Sequence, residues 1–275
     1  MQHYRPNLSY PDSEKSELTK LETLYGTWHQ HFTDNNSELA KHEDDADGMV
    51  FDGFYPHYFA SSKRRVLFIG RETVDMRSSN YIEALHRVYH SEPKRIGKWN
   101  LDSHKFTYRL LCIAYGIVNG MPEWKDIPEA SEIGDTVGEA TGLSFAYMNI
   151  SKMSNQSGKS TPANWPLINA AFALSIQGPH GRNFIREEIA ILDPHIIITM
   201  NLPDAMVDSL AEGGCEFRYE SKRAKSFCLN INGQDRQLID IWHFSAPRGA
   251  GHRLDDNEDF YTPICDTIRR NEASS

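Results

Sequence analysis

The chain has few cysteines and no long apolar segment, and each of these features excludes certain classes of protein. Its 275 residues include four cysteines, none in a Cys-x-x-Cys spacing. This pattern argues against a disulfide framework, a four-cysteine zinc site and an iron–sulfur cluster. No apolar run approaches the ~20 residues that a membrane helix needs, and the first residues lack the apolar region of a secretory signal. We therefore expect a cytoplasmic protein that does not span a membrane.

Basic residues are also in deficit. The sequence has 29 lysines and arginines against 38 aspartates and glutamates, which gives a formal net charge of −9. A protein that coats DNA or an anionic membrane by bulk charge needs a dense basic surface. The balance excludes that mode of binding but allows a small basic cleft on an acidic body. The hydrophobic fraction of 39% is ordinary for a folded globular chain.

Hydrophobic periodicity separates a helical N-terminal segment from an alternating region. From Leu18 to Phe32, apolar side chains recur at three- and four-residue steps, which indicates an amphipathic helix. Four later runs, rich in branched residues, are typical of buried parallel strands. They cover residues 65–71, 144–150, 195–200 and 238–245. Helical patterns occupy residues 104–118, 165–176 and 183–192.

This alternation predicts a three-layer α/β/α fold with a central four-stranded parallel sheet. We expect residues 1–60 to form an N-terminal helical extension packed on the core, and residues 61–275 to form one α/β domain. Ligands of open parallel sheets bind beyond the carboxyl ends of the strands. Polar segments follow three of the predicted strands there: GRET (70–73), NISK (149–152) and HFSAPRG (243–249).

The motifs on these strands resemble those of the uracil-DNA glycosylase superfamily. VLFIGRET (66–73) stands where the family has a strand that ends in glycine and then a short loop. YMNISK (147–152) resembles the strand whose terminal asparagine reads a flipped base, and LDPHIIITMN (192–201) is similar to the apolar strand after proline. IWHFSAPRG (241–249) keeps the His and Ser of the last motif. The elements follow the family's order over residues 65–250.

The resemblance implies a uracil-DNA glycosylase-like fold and a DNA glycosylase that needs no cofactor or metal. The chain also departs from the family pattern. Glu72 and Thr73 replace the usual Asp or Asn and Pro, Phe244 replaces a proline, and no stacking aromatic stands at an obvious spacing after GRET. These departures favour a non-standard base or a specialised substrate over plain uracil.

Cleavage of an N-glycosidic bond requires a group that holds the extruded base and groups that stabilise a cation-like sugar. We expect Glu72 to hold water and stabilise that cation, and His243 to donate to the base oxygen where charge develops. Asn149 can read a pyrimidine edge, Gly70 lets the backbone approach the ligand, and Tyr81 is the candidate stacking surface. Expected phosphate contacts are Lys152, Lys159, Ser245, Arg248 and Arg253.

Each catalytic candidate also has an ordinary structural interpretation. Asn149 can cap a turn, His243 can be bonded within the core, and Glu72 can be a surface carboxylate paired with arginine. The acidic stretch around Asp47 and Asp52 is interpreted as a solvated loop. Two other functions stay open: a non-catalytic module that binds nucleic acid or a nucleotide, and an enzyme of free nucleosides or nucleotides. The sequence does not name the base or the oligomeric state.

Overall fold

The computed structural model describes residues 4–60, 64–155, 163–221, 223–246 and 258–273. The strands are β1 (Gly53–Phe54), β2 (Val66–Gly70), β3 (Arg95–Ile96), β4 (Trp99–Asn100), β5 (Ala146–Asn149), β6 (Ile196–Met200), β7 (Glu216–Glu220), β8 (Ala224–Ile231) and β9 (Gln234–Ile241). The α-helices are α1 (Lys15–Asp34), α2 (Asn36–Ala40), α3 (Tyr81–Tyr89), α4 (Lys105–Val118), α5 (Ala130–Gly134), α6 (Trp165–Ile176), α7 (Phe184–Leu192), α8 (Asp204–Asp208) and α9 (Glu258–Ala273).

A mixed sheet of seven strands, in the order β1-β5-β2-β6-β9-β8-β7, runs through the described part of the chain. The four predicted strands β5, β2, β6 and β9 pair in parallel. β1 adds an antiparallel edge on one side, and β8 and β7 extend the sheet antiparallel on the other. The predicted α/β class is confirmed, but the prediction of a sheet of only four parallel strands is wrong. A separate two-stranded sheet joins β3 and β4.

The hairpin between β8 and β9 explains part of that error. Asn232 and Gly233 both adopt positive φ angles, 53° and 77°, as the favoured two-residue hairpin turns require. Residues 232–236 are all polar or glycine in the sequence, yet β9 already begins at Gln234. Burial along β8 is incomplete, so the continuous apolar run that identified the parallel strands does not occur there.

The parallel strands are buried because helices cover both faces of the sheet. Every residue of β2, β5 and β6 is buried. Leu67 and Ile69 pack in a core with α1, α6 and α7, whereas Val66 and Phe68 pack in a core with α3, α4 and α9. This division follows from the two-residue period of a strand. It also explains why these strands read as continuous apolar runs rather than as alternating ones.

Helix α1 belongs to the first of these cores. Its Trp28 is fully buried and stacks on Phe184 of α7, with ring centroids 5.3 Å apart and an interplanar angle of 13°. The predicted helix from Leu18 to Phe32 is thus confirmed and slightly longer. The division of the chain at residue 60 stays a prediction. Among the described helices, none has both the length and the apolar character needed to cross a bilayer.

Two helical glycines provide a test of the packing between α4 and α9. A Cβ on Gly26 of α1 would make an ordinary contact of 3.7 Å with Tyr4, whereas a Cβ on Gly116 of α4 would overlap the Tyr261 ring of α9. Gly26→Ala should raise the free energy of unfolding by about 0.5–1 kcal/mol, because alanine is the better helix former. Gly116→Ala should lower it by about 1–3 kcal/mol through overpacking.

Urea unfolding of the two variants measures both changes against the parent chain. Because each variant gains the same helix propensity, their difference isolates the contact with Tyr261. Equal free energies of unfolding for the two variants would contradict the packing of α4 on α9 at Gly116.

Candidate functional site

The candidate site lies at the carboxyl ends of the four parallel strands. Gly70 ends β2 and lies opposite Asn149, the last residue of β5. Glu72 follows β2 by two residues, and His243 follows the end of β9 by two. Because these strands run in parallel, the three predicted polar segments come to the same edge of the sheet.

Position 70 requires glycine because neighbouring side chains leave no space for a Cβ atom. A Cβ at this position would overlap the Tyr147 hydroxyl and lie 3.0 Å from Asn149 Oδ1. Tyr147 and Asn149 are two residues apart on β5, so both side chains point to the face that Gly70 leaves open. The space over Gly70, which we expected to admit a ligand close to the backbone, holds these two side chains.

Tyr81 packs beneath the surface against Tyr147, so its ring is not free to stack on a ligand. It begins α3, is buried, and packs its ring against Tyr147 with centroids 4.7 Å apart. Burial raises the pKa of Tyr147 above its ordinary value, and burial likewise raises that of Tyr81. Both phenols therefore stay protonated. The predicted stacking role of Tyr81 is corrected to a packing role.

Phe106 is an aromatic ring that lies close to both Tyr147 and His243. It lies in the first turn of α4, half-buried, with its ring centroid 6.3 Å from Tyr147 and 5.7 Å from His243. It was not predicted because α3 and the β3–β4 hairpin separate it from the end of β2. The one feature of the sequence that could have indicated Phe106 is its position in the first turn of a strongly apolar helix.

The segment that carries His243 is anchored by α4. The buried Arg109 donates through Nη1 to the carbonyl oxygens of Phe244 and Ala246, at 2.6 and 3.2 Å. Phe244 is itself fully buried and packs near Phe68 of β2. Phe244, at the position where the resemblance leads us to expect a proline, is thus a core side chain.

His243 is a neutral donor at this edge. Its Nδ1 accepts a hydrogen bond from the backbone N–H of Ser245 at 3.2 Å, which places the ring proton on Nε2. Burial and the nearby Arg71 charge lower the pKa of His243 to about 4. The imidazole is consequently uncharged at neutral pH and can donate from Nε2.

Glu72 lies next to a cation but is largely withdrawn from water. Its side chain is 7% exposed, and its Oε2 lies 3.2 Å from Arg71 Nε. Burial raises the pKa of Glu72, and the Arg71 charge opposes this shift. The guanidinium of Arg71 also lies over the half-exposed Trp165 ring, 5.1 Å from its centroid. A carboxyl group in this setting can accept a proton more readily than an ordinary surface glutamate.

Lys152 does not contact a phosphate, because it is fully buried. Its Nζ lies 2.6 Å from Asp52 Oδ2 and 2.7 Å from Glu188 Oε2. Burial by itself would lower the pKa of Lys152, but the two carboxylates outweigh burial and raise it. The expected nucleic-acid contact at this residue is corrected, and Asp52 belongs to this buried cluster rather than to a solvated loop.

Aromatic and phenolic groups enclose that cluster. Tyr25 donates its hydroxyl to Glu188 Oε1 at 2.6 Å, and the Lys152 ammonium lies 5.0 Å from the Trp28 ring centroid. Burial raises the pKa of Glu188, while Lys152 opposes that shift. We refer to Tyr25, Asp52, Lys152 and Glu188 as the buried charge cluster.

The remaining predicted contacts divide into two groups. Ser245 is exposed, and its backbone is bonded to His243, so it is accessible to a ligand at this edge. Lys159, Arg248 and Arg253 lie outside the described residues. Within the described ranges, no three His, Cys, Asp or Glu side chains gather in a way that could hold a metal ion. The predicted independence from metal stays a prediction.

Comparisons with known proteins assign no family. No family model matches the chain, and no curated protein matches it. The resemblance to the uracil-DNA glycosylase superfamily stays an expectation from the strand motifs of the sequence.

The environment of His243 predicts an unusual titration. Because its pKa is about 4, the ring should stay neutral from about pH 8 down to about pH 5, where an ordinary histidine becomes charged. Its Cε1–H resonance should not move in that range, while exposed histidines shift. Between about pH 6.5 and 4 the unfolded chain binds this proton first, so the His243 contribution to stability falls as the pH falls. A midpoint near pH 6.5 would contradict the assignment of a half-buried, neutral imidazole.

The buried charge cluster predicts a strong effect of Lys152→Met. Removing the ammonium leaves two buried carboxyl groups without their cation, which should lower the free energy of unfolding by about 3–5 kcal/mol. Lys41→Met is the matched control, since Lys41 also pairs with a glutamate at 2.7 Å but on the surface. It should change stability by less than about 1 kcal/mol. Similar losses in the two variants would contradict the cluster.

Proposed function

We propose that this chain has a uracil-DNA glycosylase-like fold, binds a base extruded from DNA at the carboxyl edge of the parallel strands, and hydrolyses its N-glycosidic bond. The observation that carries the proposal is the meeting of a neutral donor, a stacking ring and a buried amide at one sheet edge. His243 and Phe106 are in ring contact, Phe106 also approaches Tyr147, and Asn149 lies beside Tyr147 over Gly70.

The proposed reaction uses these groups in distinct roles. The half-buried Phe106 ring stacks on the base, and Asn149 contacts its polar edge. When the bond between the sugar carbon and the base nitrogen breaks, its electron pair moves onto the base. His243 Nε2–H then donates to the base oxygen where the charge collects, and a neutral donor aimed at that atom stabilises it.

Glu72 acts on the sugar in this proposal. As an anion it stabilises the cation-like sugar and orients a water molecule toward the sugar carbon. The water oxygen bonds to that carbon, and the carboxylate accepts the released proton. The raised pKa of Glu72 favours this proton transfer, because the acceptor is more basic than a solvated carboxylate.

Activity on a free nucleoside or nucleotide is the second candidate. Lys152 is withdrawn from the surface, which removes one of the expected phosphate contacts, and the chain carries a net charge of −9. Both observations favour a ligand with fewer phosphates than a DNA strand. The two candidates share the base site and differ only in what is attached to the sugar.

A glycosylase assay distinguishes the candidates. Oligonucleotides that contain one uracil, hypoxanthine or modified pyrimidine are incubated with excess protein, and abasic sites are counted after cleavage. The corresponding free nucleosides are tested in parallel for release of the base. We expect release from DNA without added metal, and unchanged release in EDTA. Release from nucleosides alone would replace the first candidate by the second, and no release from either would contradict both.

His243→Ala should lower the single-turnover rate of base release by about 100- to 1,000-fold and weaken binding much less. The donor gains strength only as the leaving base becomes negative. Phe106→Ala should instead weaken binding mainly, because stacking is present before the bond breaks. Phe217→Ala is the matched control: this ring is 54% exposed on β7, at the far end of the sheet, and its loss should change neither quantity. Equal losses of rate and affinity in His243→Ala would contradict its role.

A further inference from the structure

The side-chain amide of Asn149 is held in one orientation. Its Nδ2 donates to Asp52 Oδ1 at 3.0 Å, and its backbone N–H donates to Asp52 Oδ2 at 2.7 Å. An ionised carboxylate only accepts hydrogen bonds, so the reversed amide would place two acceptors against each other. Asp52 therefore defines which end of the amide is nitrogen.

The buried charge cluster holds the Asp52 side chain in this position. Lys152 Nζ donates to Asp52 Oδ2 at 2.6 Å, and both side chains are fully buried. Lys152 is held in turn by Glu188, which accepts a hydrogen bond from the Tyr25 hydroxyl. Neither Glu188 nor Tyr25 touches Asn149 in any of the described contacts.

The opposite end of the amide is without a partner. Asn149 is buried, and its Oδ1 has no hydrogen-bond partner among the described residues. This oxygen lies over Gly70 beside the Tyr147 hydroxyl, at the edge where the proposed base binds. A buried carbonyl oxygen left without a donor is costly, and a ligand that brings an N–H group removes that cost.

We propose that Asp52 is a positioning residue that sets base choice by fixing Asn149 Oδ1 toward the base. This inference rests on the proposed function. Asn149 then offers an acceptor while His243 offers a donor from Nε2. The complementary base edge carries a ring N–H next to a carbonyl oxygen, which is a lactam such as uracil or hypoxanthine. A ring nitrogen without hydrogen, or one that is methylated, leaves the Asn149 oxygen unpaired and is rejected.

The test compares uracil with 3-methyluracil in otherwise identical oligonucleotides, by single-turnover base release. The wild type should favour uracil by roughly ten- to a hundredfold, the discrimination expected of one good polar pair. Asp52→Asn should reduce this ratio several-fold, because an amide at position 52 can pair with Asn149 in either orientation. Glu188→Gln is the matched control: it perturbs the buried charge cluster and stability but should keep the wild-type ratio.

The ratio is internal to each variant, so a general loss of stability does not change it. An unchanged ratio in Asp52→Asn, or an equal change in Glu188→Gln, would overturn the inference. Absence of any base release by the wild type would instead overturn the proposed function.

A measurement on the wild type keeps the amide orientation testable even if Asp52→Asn does not fold. The side-chain NH₂ resonances of Asn149, assigned by their loss in Asn149→Ser, should show slow exchange of the proton that is bonded to Asp52. Exchange at the rate of a solvated amide for both protons would overturn the fixed orientation, whatever the activity of the chain.

Discussion

The ammonium group of Lys152, buried between Asp52 and Glu188, is the interaction on which the rest of the structure depends. It joins the loop before β1, the turn after β5 and helix α7 at one point, and α1 closes over it with Tyr25 and Trp28. Such a cluster is poor evidence for net stability, because desolvation of the ions opposes their attraction. It does fix geometry, since any shift of one member leaves a buried charge without its partner.

The buried charge cluster is linked to the candidate site through the carboxylate of Asp52. The Asp52 carboxylate accepts hydrogen bonds from the Lys152 ammonium and from both the backbone N–H and the side-chain amide of Asn149. On the other side of the site, the buried Arg109 fixes the segment of His243. The two groups that would meet a base are therefore held by separate buried cations, each bonded to groups from distant parts of the chain. Rigid support of this kind is what an aimed donor and acceptor need.

The sequence was most informative where apolar residues form a continuous run or recur at a regular spacing. The runs at β2, β5 and β6 and the helices α4, α6 and α7 were predicted close to their observed bounds, because apolar periodicity directly reflects packing. It was least informative at half-buried strands such as β8, and at the Asn-Gly turn that pairs it with β9. Lys152 and Asp52 were misinterpreted for a related reason: a buried ion pair is made by residues far apart in sequence, and a lysine in a polar turn has no local mark of burial. Phe106 was missed because its neighbours in space come from β5 and the end of β9.

The wide spacing of the buried charge cluster along the chain also bears on the order of events during synthesis. Tyr25 and its acceptor Glu188 are 163 residues apart, and Asp52 and Lys152 are 100 apart. A nascent chain that has reached Asp52, or even Lys152, still lacks the second carboxylate, so its core cannot close without leaving polar groups unmatched. Such long-range contacts are slow to form because the intervening chain must first be ordered. Helix α1 thus emerges from the ribosome well before α7, whose Phe184 and Glu188 complete the packing of Trp28 and the hydrogen bond of Tyr25.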